Sequence, residues 1–118
     1  MHKFRDLKVW QRSMDLIVEV YHLAQTFPQS EQFGLISQLR RAAVSISLNI
    51  AEGAGSGTDP EFRRFLRMAL RSCYEVMTGL EIGRRLGYCM NQQVNALLQE
   101  ADEVAAMIVG LSKGLSGK

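Results

Sequence analysis

The chain has 118 residues, of which 47% are hydrophobic and 22% charged, and its formal net charge is +2. This composition is typical of one globular domain with a substantial core, and two prolines are fewer than a sheet protein of this size usually needs for its turns. No stretch approaches the roughly 20 apolar residues of a membrane span, and the N-terminus lacks the apolar run of a signal peptide, so we expect a cytoplasmic protein without membrane contact.

The first half of the chain predicts two helices, over residues 7–27 and 30–53. Pro28 is expected to end the first, because the residue before a proline is pushed out of the α-helical region. Ser30 is the expected N-cap of the second helix, and the glycine-rich segment 53–57 its expected end. The first helix carries two adjoining apolar stripes that predict a wide buried face: Trp10, Met14, Ile17, Tyr21 and Ala24, and Val9, Leu16, Val20, Leu23 and Phe27.

The second half predicts helices over residues 59–86 and 91–114. Thr58 fits the N-cap of the third helix as part of a capping box, and Asp59 followed by Pro60 fits nearly as well. Gly87 is the expected left-handed glycine after this helix, and Asn91 the expected cap of the fourth.

Four helices of about 20 residues joined by short loops favour antiparallel neighbours. We therefore expect an all-α protein, an antiparallel up-down-up-down four-helix bundle formed by one domain over residues 1–118. Gly110 and Gly114 weaken the last turns of the fourth helix, so residues 116–118 are expected to fray.

The residues that usually carry enzyme or metal chemistry do not form a recognisable site. A di-iron bundle needs two Glu-x-x-His motifs, and only Glu19-x-x-His22 occurs. The segment 53–57 lacks the lysine of a phosphate-binding loop, and no serine or cysteine has an obvious histidine base. Cys73 and Cys89 are about 24 Å apart if both lie along one helix, too far for a disulfide. We expect free thiols, no catalytic residue, no metal and no cofactor.

Polar residues interrupt the apolar seams of the second and third predicted helices. They are Ser45, Asn49 and Glu52 on one helix, and Ser72 and Glu75 on the other. Because buried polar groups are costly unless they are hydrogen-bonded, the favoured interpretation is a hydrogen-bonded network that fixes helix register or an interface. Recognition of a ligand or partner is the alternative, with catalysis by the carboxylates behind it.

Arginines form a second conspicuous set. Arg63, Arg64, Arg67, Arg71 and Arg85 fall within an arc of roughly 100° on the third predicted helix, and Arg40 and Arg41 add charge on the second. A basic stripe of this kind can bind phosphates. It can equally be a solvated surface, or pair with an acidic helix of another subunit, since the fourth helix carries Glu100, Asp102 and Glu103.

Several motifs together resemble a known family. They are Phe4-x-x-Leu7-x-Val9-Trp10-Gln11, Phe27-Pro28-x-x-Glu31-x-Phe33-Gly34-Leu35, Gln38-Leu39-Arg40-Arg41-Ala42-Ala43-Val44-Ser45-Ile46, Asn49-Ile50-Ala51-Glu52-Gly53, Phe62, Phe65-Leu66, Ala69, Ser72, Glu75 and Leu86-Gly87-Tyr88. The chain is similar over nearly its whole length to the four-helix-bundle proteins encoded by bacterial 23S rRNA intervening sequences. Asn-Ile-Ala-Glu-Gly is the most specific segment.

The resemblance implies an up-down-up-down bundle that assembles as a ring-shaped homo-oligomer, a pentamer. It also implies distant kinship with the accessory variability determinants of diversity-generating retroelements, which are basic and bind nucleic acid and a reverse transcriptase. Arg71 departs from the family, which usually has glycine before the serine at position 72. This change either prevents a close helix approach or supplies a charge for binding.

These observations lead to two functional hypotheses. The first is a non-enzymatic, homo-oligomeric bundle that binds structured RNA or another nucleic acid. Its expected phosphate contacts are Arg40, Arg41, Arg63, Arg64, Arg67 and Arg71. The second is a protein–protein interaction scaffold without nucleic-acid binding, with Phe65, Met68 and Leu70 as candidate contact residues.

Overall fold

The computed structural model describes residues 2–115, which fold into four α-helices without β-strands. The helices are α1 (Lys8–Ala24), α2 (Leu35–Ala54), α3 (Asp59–Arg85) and α4 (Asn91–Gly114). Two short 3-10 turns, Phe4–Asp6 and Gln29–Glu31, precede α1 and α2. The expected fraying of residues 116–118 lies outside the described residues.

Contacts between side chains show that neighbouring helices run antiparallel. Between α2 and α3, Ser45 pairs with Ser72, whereas the later residue Gly53 lies against the earlier residue Phe65. The α3–α4 pair runs the same way, since Arg84 near the end of α3 reaches Asn95 near the start of α4, with 2.7 Å between Nη1 and Oδ1. Helix α1 packs against both α2 and α4, which closes the bundle. The predicted fold class is confirmed.

The core runs along the bundle axis, where each helix buries one apolar face. Its largest fully buried side chains are Phe62, Leu16, Leu39, Ile46, Ile50, Leu66, Leu80, Ile108, Val20, Val76, Val94 and Val104. Burial of each such side chain contributes roughly 1.5–3 kcal/mol relative to its exposure. The buried face of α1 is narrower than predicted: Val9, Leu16 and Val20 are inside, whereas Trp10 is half-buried and Met14 exposed.

The connection between α1 and α2 differs from the prediction. Helix α1 ends at Ala24 rather than at residue 27, and Phe27 turns inward to pack against Gly83. Ser30 is not the N-cap of α2, because it lies in the Gln29–Glu31 turn and the helix begins at Leu35. The carboxylate of Glu31 accepts a hydrogen bond from the Leu35 amide instead, at 3.1 Å.

Gly53 was predicted to begin the glycine-rich segment that ends the helix, but it lies within α2. The helix continues to Ala54, and a β-carbon at position 53 would come within 2.8 Å of the Phe65 β-carbon. The missing side chain therefore lets α2 and α3 approach closely. Gly57, with φ of +94°, is the residue of this segment that adopts the left-handed turn conformation.

The remaining helix ends mostly follow the prediction. Thr58 caps α3, since its hydroxyl accepts a hydrogen bond from the Glu61 amide at 3.3 Å. Gly87 has φ of +77°, and the amide of Tyr88 bonds the Gly83 carbonyl at 2.9 Å, which makes a Schellman end. Asn91 is not a cap but the first residue of α4, which follows an extended residue at position 90.

Candidate nucleic-acid interface

Hydrogen bonds join three of the five polar residues predicted at the α2–α3 seam. Ser72 Oγ lies 2.9 Å from Ser45 Oγ and 3.2 Å from the Met68 carbonyl oxygen. The side-chain amide of Asn49 donates to the Ser45 carbonyl at 2.9 Å and lies 3.0 Å from its hydroxyl. Each of these three side chains thus has a hydrogen-bond partner, as a network that fixes helix register requires.

The two carboxylates predicted for this network lie outside it. Glu52 and Glu75 are both exposed, and neither forms a hydrogen bond with the network among residues 2–115. The network described at the seam is therefore formed by hydroxyl and amide groups, without a carboxylate.

Two of the six predicted arginine contacts are already engaged within the chain. Arg64 forms an ion pair with Glu61 at 3.0 Å and places its guanidinium 4.6 Å from the centre of the Phe65 ring. Its hydrogen bonds lower the pKa of the Glu61 carboxyl. Arg40 lies 4.9 Å from the centre of the Tyr21 ring, and its Nε is buried without a hydrogen-bond partner in the described chain. Each group would give up one of these contacts if it bound a phosphate.

The other four predicted arginines form no ion pair with a residue between 2 and 115. Arg67 and Arg71 are exposed one turn apart on α3, and Arg63 is half-buried one turn before them. Arg67 also lines a shallow cleft of about 200 Å³ with Lys113 of α4. Arg41 stands apart on α2, where its nearest polar contact is Ser37 Oγ at 3.5 Å. Exposed cations thus lie on α3 and on both neighbouring helices.

The acidic residues of α4 are used in part within the chain. Arg12 of α1 forms ion pairs with Glu100 at 3.0 Å and Glu103 at 2.7 Å, which together raise the pKa of the guanidinium. Sequence reasoning missed this bridge because its partners lie about 90 positions apart and belong to helices whose relative rotation no local pattern specifies. Asp102 is exposed.

The candidate contact residues of the scaffold hypothesis are all half-buried. Phe65 packs against Gly53, Met68 Sδ lies 3.6 Å from Arg64 Nη1, and Leu70 packs against the core. Exposed apolar side chains also lie elsewhere, beside a cleft of about 630 Å³ between the first half of α2 and the second half of α3. The sequence analysis did not identify this cleft.

Neither cysteine among the described residues has an activated thiol. Burial raises the pKa of the Cys73 thiol to about 12, and burial also raises that of Cys89, so both remain protonated near neutral pH. Both are free thiols. No three His, Cys, Asp or Glu side chains from the described residues group in a way that could hold a metal ion. None of the helices within 2–115 is long and apolar enough to cross a membrane.

A comparison with protein families matches residues 5–110 to the model of the 23S rRNA-intervening sequence proteins. The chain belongs to this family. Among solved structures, it is similar to a protein of unknown function from the S23 ribosomal protein family of Bacteroides thetaiotaomicron VPI-5482. The two share 23% identity with a TM-score of 0.82, over 89% of this chain and 95% of the other. This likeness supports the fold alone. No curated protein matches the sequence.

Proposed function

We propose that the protein is a non-enzymatic, homo-oligomeric helical bundle of the cytoplasm that binds structured RNA through arginines on α3. The observation that carries this proposal is the exposure of Arg67 and Arg71 one turn apart, without an ion pair to any residue of 2–115. Such guanidiniums are available for bidentate contacts with phosphate oxygens. The family is named after an intervening sequence of 23S rRNA, which makes structured RNA the first class to test.

The remaining predicted arginines contribute unequally to this proposal. Arg63 extends the row by one turn and Arg41 adds a cation on α2, whereas Arg40 and Arg64 would have to leave an aromatic ring or an ion pair to reach a phosphate. We therefore assign the principal contacts to Arg67 and Arg71. Contacts from a helical surface to phosphates carry little base information, so we expect recognition of RNA shape rather than sequence.

Assembly into a ring, which we propose to be a pentamer, would repeat this basic row around one particle. Several weak phosphate contacts then act together, so the affinity of the particle exceeds that of one subunit. Exposed apolar side chains such as Val18 on α1 and Leu48 on α2 support a subunit contact. Size-exclusion chromatography with light scattering should give five times the mass of one chain, and a monomer would contradict the assembly.

RNA binding is tested by fluorescence anisotropy with a labelled 23S rRNA hairpin. We expect affinity to fall linearly with salt on logarithmic axes between about 50 and 200 mM. The R67A/R71A double variant should bind more weakly and lower the magnitude of the salt slope by about two, one for each lost contact. The variant R5A/K8A removes the same charge near the N-terminus and should change the slope less. An equal slope in the wild type and R67A/R71A would refute the proposed contacts.

The alternative function is a protein-interaction scaffold, favoured by the apolar cleft between α2 and α3. An oligomer whose mass is unchanged by RNA at low salt would support this alternative over RNA binding. Both functions are compatible with the same bundle, because the basic row and the cleft involve different residues.

A further inference from the structure

Two glycines line the cleft between α2 and α3. Gly79 forms part of its lining where α3 passes Leu39 of α2, and Gly34 lies at the end of the cleft just before α2. Leu35 and Ile82 line its sides. Its volume of about 630 Å³ is within the range of ligand-binding clefts. The backbone at Gly79 and the apolar side chains thus produce a groove on the outer surface of the bundle.

Apolar side chains gather around this groove and remain exposed. Tyr74 is 54% exposed, Ile82 44% and Leu86 54%, and all three line the groove. Phe33, which precedes Gly34 in the chain, is 91% exposed. Exposed large apolar residues scattered singly are ordinary on protein surfaces, whereas several of them around one concave site indicate a binding surface.

The charged residues that line the groove are both acidic. They are Glu31 and Glu75, and no lysine or arginine lines it. Glu31 is held in place, since its carboxylate accepts hydrogen bonds from the Leu35 amide and, at 2.9 Å, from the Tyr88 hydroxyl. Neither carboxylate forms an ion pair with a lysine or arginine of residues 2–115. In a chain of net charge +2, this groove therefore favours a cationic partner.

We propose that the α2–α3 groove binds an amphipathic, lysine- or arginine-bearing helix of a partner protein. The α3 wall from Tyr74 to Leu86 spans 12 helical steps, or about 18 Å, which matches three to four turns of a bound helix. The partner's apolar side chains would lie between Leu35 and Ile82, and its cation would face Glu75. Binding of a helix in a groove by such anchors is a recurrent mode of peptide recognition.

A second copy of the chain fits the groove less well. Val18 and Leu48 are exposed apolar residues that lie outside the groove, and each could serve as an anchor. Asp15 lies three positions before Val18, and Glu52 lies four positions after Leu48. Docking either helix would therefore bring another carboxylate toward the acidic groove. None of the arginines proposed to bind RNA lines the groove, so the failure of either proposal would leave the other unaffected.

The test uses two fluorescein-labelled synthetic peptides of about 14 residues with the same leucine positions. Lysine fills the polar positions of one peptide and glutamate those of the other. The intact protein should bind the leucine–lysine peptide saturably, with one peptide per chain. Its affinity for the leucine–glutamate peptide should be lower by about tenfold or more. Equal binding of both peptides would contradict the charge part of the proposal.

Matched variants locate the binding site. Ile82→Ser and Glu75→Gln should each lower the affinity for the leucine–lysine peptide by about tenfold. Glu75→Gln should also reduce the salt dependence of this affinity. Val109→Ser and Glu52→Gln make comparable changes at exposed positions outside the groove and should have no effect on peptide binding. All four positions are exposed, so circular dichroism should show the wild-type fold. Unchanged binding by both groove variants would overturn the proposal. Self-association that Ile82→Ser abolishes, without peptide binding, would instead identify a second copy as the occupant.

Discussion

Gly79 of α3 lies directly against Leu39 of α2. A β-carbon at position 79 would come within 2.6 Å of Leu39 Cδ2 and 3.0 Å of its Cγ, distances that unstrained atoms do not adopt. Leu39 is 1% exposed and belongs to the core, so a shift of its side chain would disturb the residues packed around it. The glycine is thus required by the distance between two helices, although it lies in the middle of an α-helix, where glycine is unfavourable.

We predict that Gly79→Ala lowers the free energy of unfolding by about 1–3 kcal/mol, because overpacking outweighs the gain of up to about 1 kcal/mol in helix propensity. Gly110→Ala is the matched control, since nothing lies within 4 Å of a β-carbon built on this α4 glycine. It should raise the free energy of unfolding by about 0.5–1 kcal/mol. Denaturant unfolding at equal protein concentration measures both. A Gly79→Ala protein as stable as Gly110→Ala would contradict the close approach.

The glycines also show what the sequence could and could not predict about the fold. Apolar periodicity located all four helices, because a spacing of three and four residues has no other common explanation over 20 positions. It did not distinguish Gly53, which is buried against Phe65, from a loop glycine, since the reason for this glycine is a side chain of another helix. The prediction of Ser30 as an N-cap is wrong for a local reason, because the carboxylate of the next residue, Glu31, accepts the hydrogen bond of the Leu35 amide.

The contact between Ser45 and Ser72 should stabilise the pairing of α2 with α3. We predict a coupling energy of about 0.5–1.5 kcal/mol in a double-mutant cycle of Ser45→Ala and Ser72→Ala, since each hydroxyl is a partner of the other. Ser37 provides the control pair with Ser72, because it lies two turns before Ser45 on α2, and we expect additive effects there. Denaturant unfolding of the single and double variants gives both values. Additivity within about 0.3 kcal/mol for Ser45 and Ser72 would show that their contact contributes nothing.

The sequence could predict which arginines lie on the candidate interface, but not which contacts all of them form. Sequence spacing places the arginines of α3 on one side, and it also permits the Glu61–Arg64 pair, which joins residues three positions apart. The packing of Arg40 on Tyr21 joins two helices, and no local pattern indicates it. The α2–α3 groove was missed for the same reason, because its walls come from segments about 40 residues apart.

The hydrogen bond from Tyr88 to Glu31 should make stability depend on pH in the alkaline range. The Glu31 carboxylate accepts the phenolic proton at 2.9 Å, and this bond, together with burial and the negative charge, raises the pKa of Tyr88. A group whose pKa is higher in the folded than in the unfolded state stabilises the fold fully below its unfolded pKa, about 10 for tyrosine. The contribution disappears as pH rises through the folded pKa.

We therefore predict that wild type is more stable than Tyr88→Phe by a constant amount up to about pH 9, and that this difference shrinks steadily above about pH 10. Unfolding free energies of both proteins, measured in denaturant across this range, test the prediction. Tyr74→Phe removes one hydroxyl from an exposed ring and should leave the free energy of unfolding unchanged at neutral pH. A difference between wild type and Tyr88→Phe that persists unchanged to about pH 12 would mean that the phenolic proton does not link the start of α2 to the end of α3.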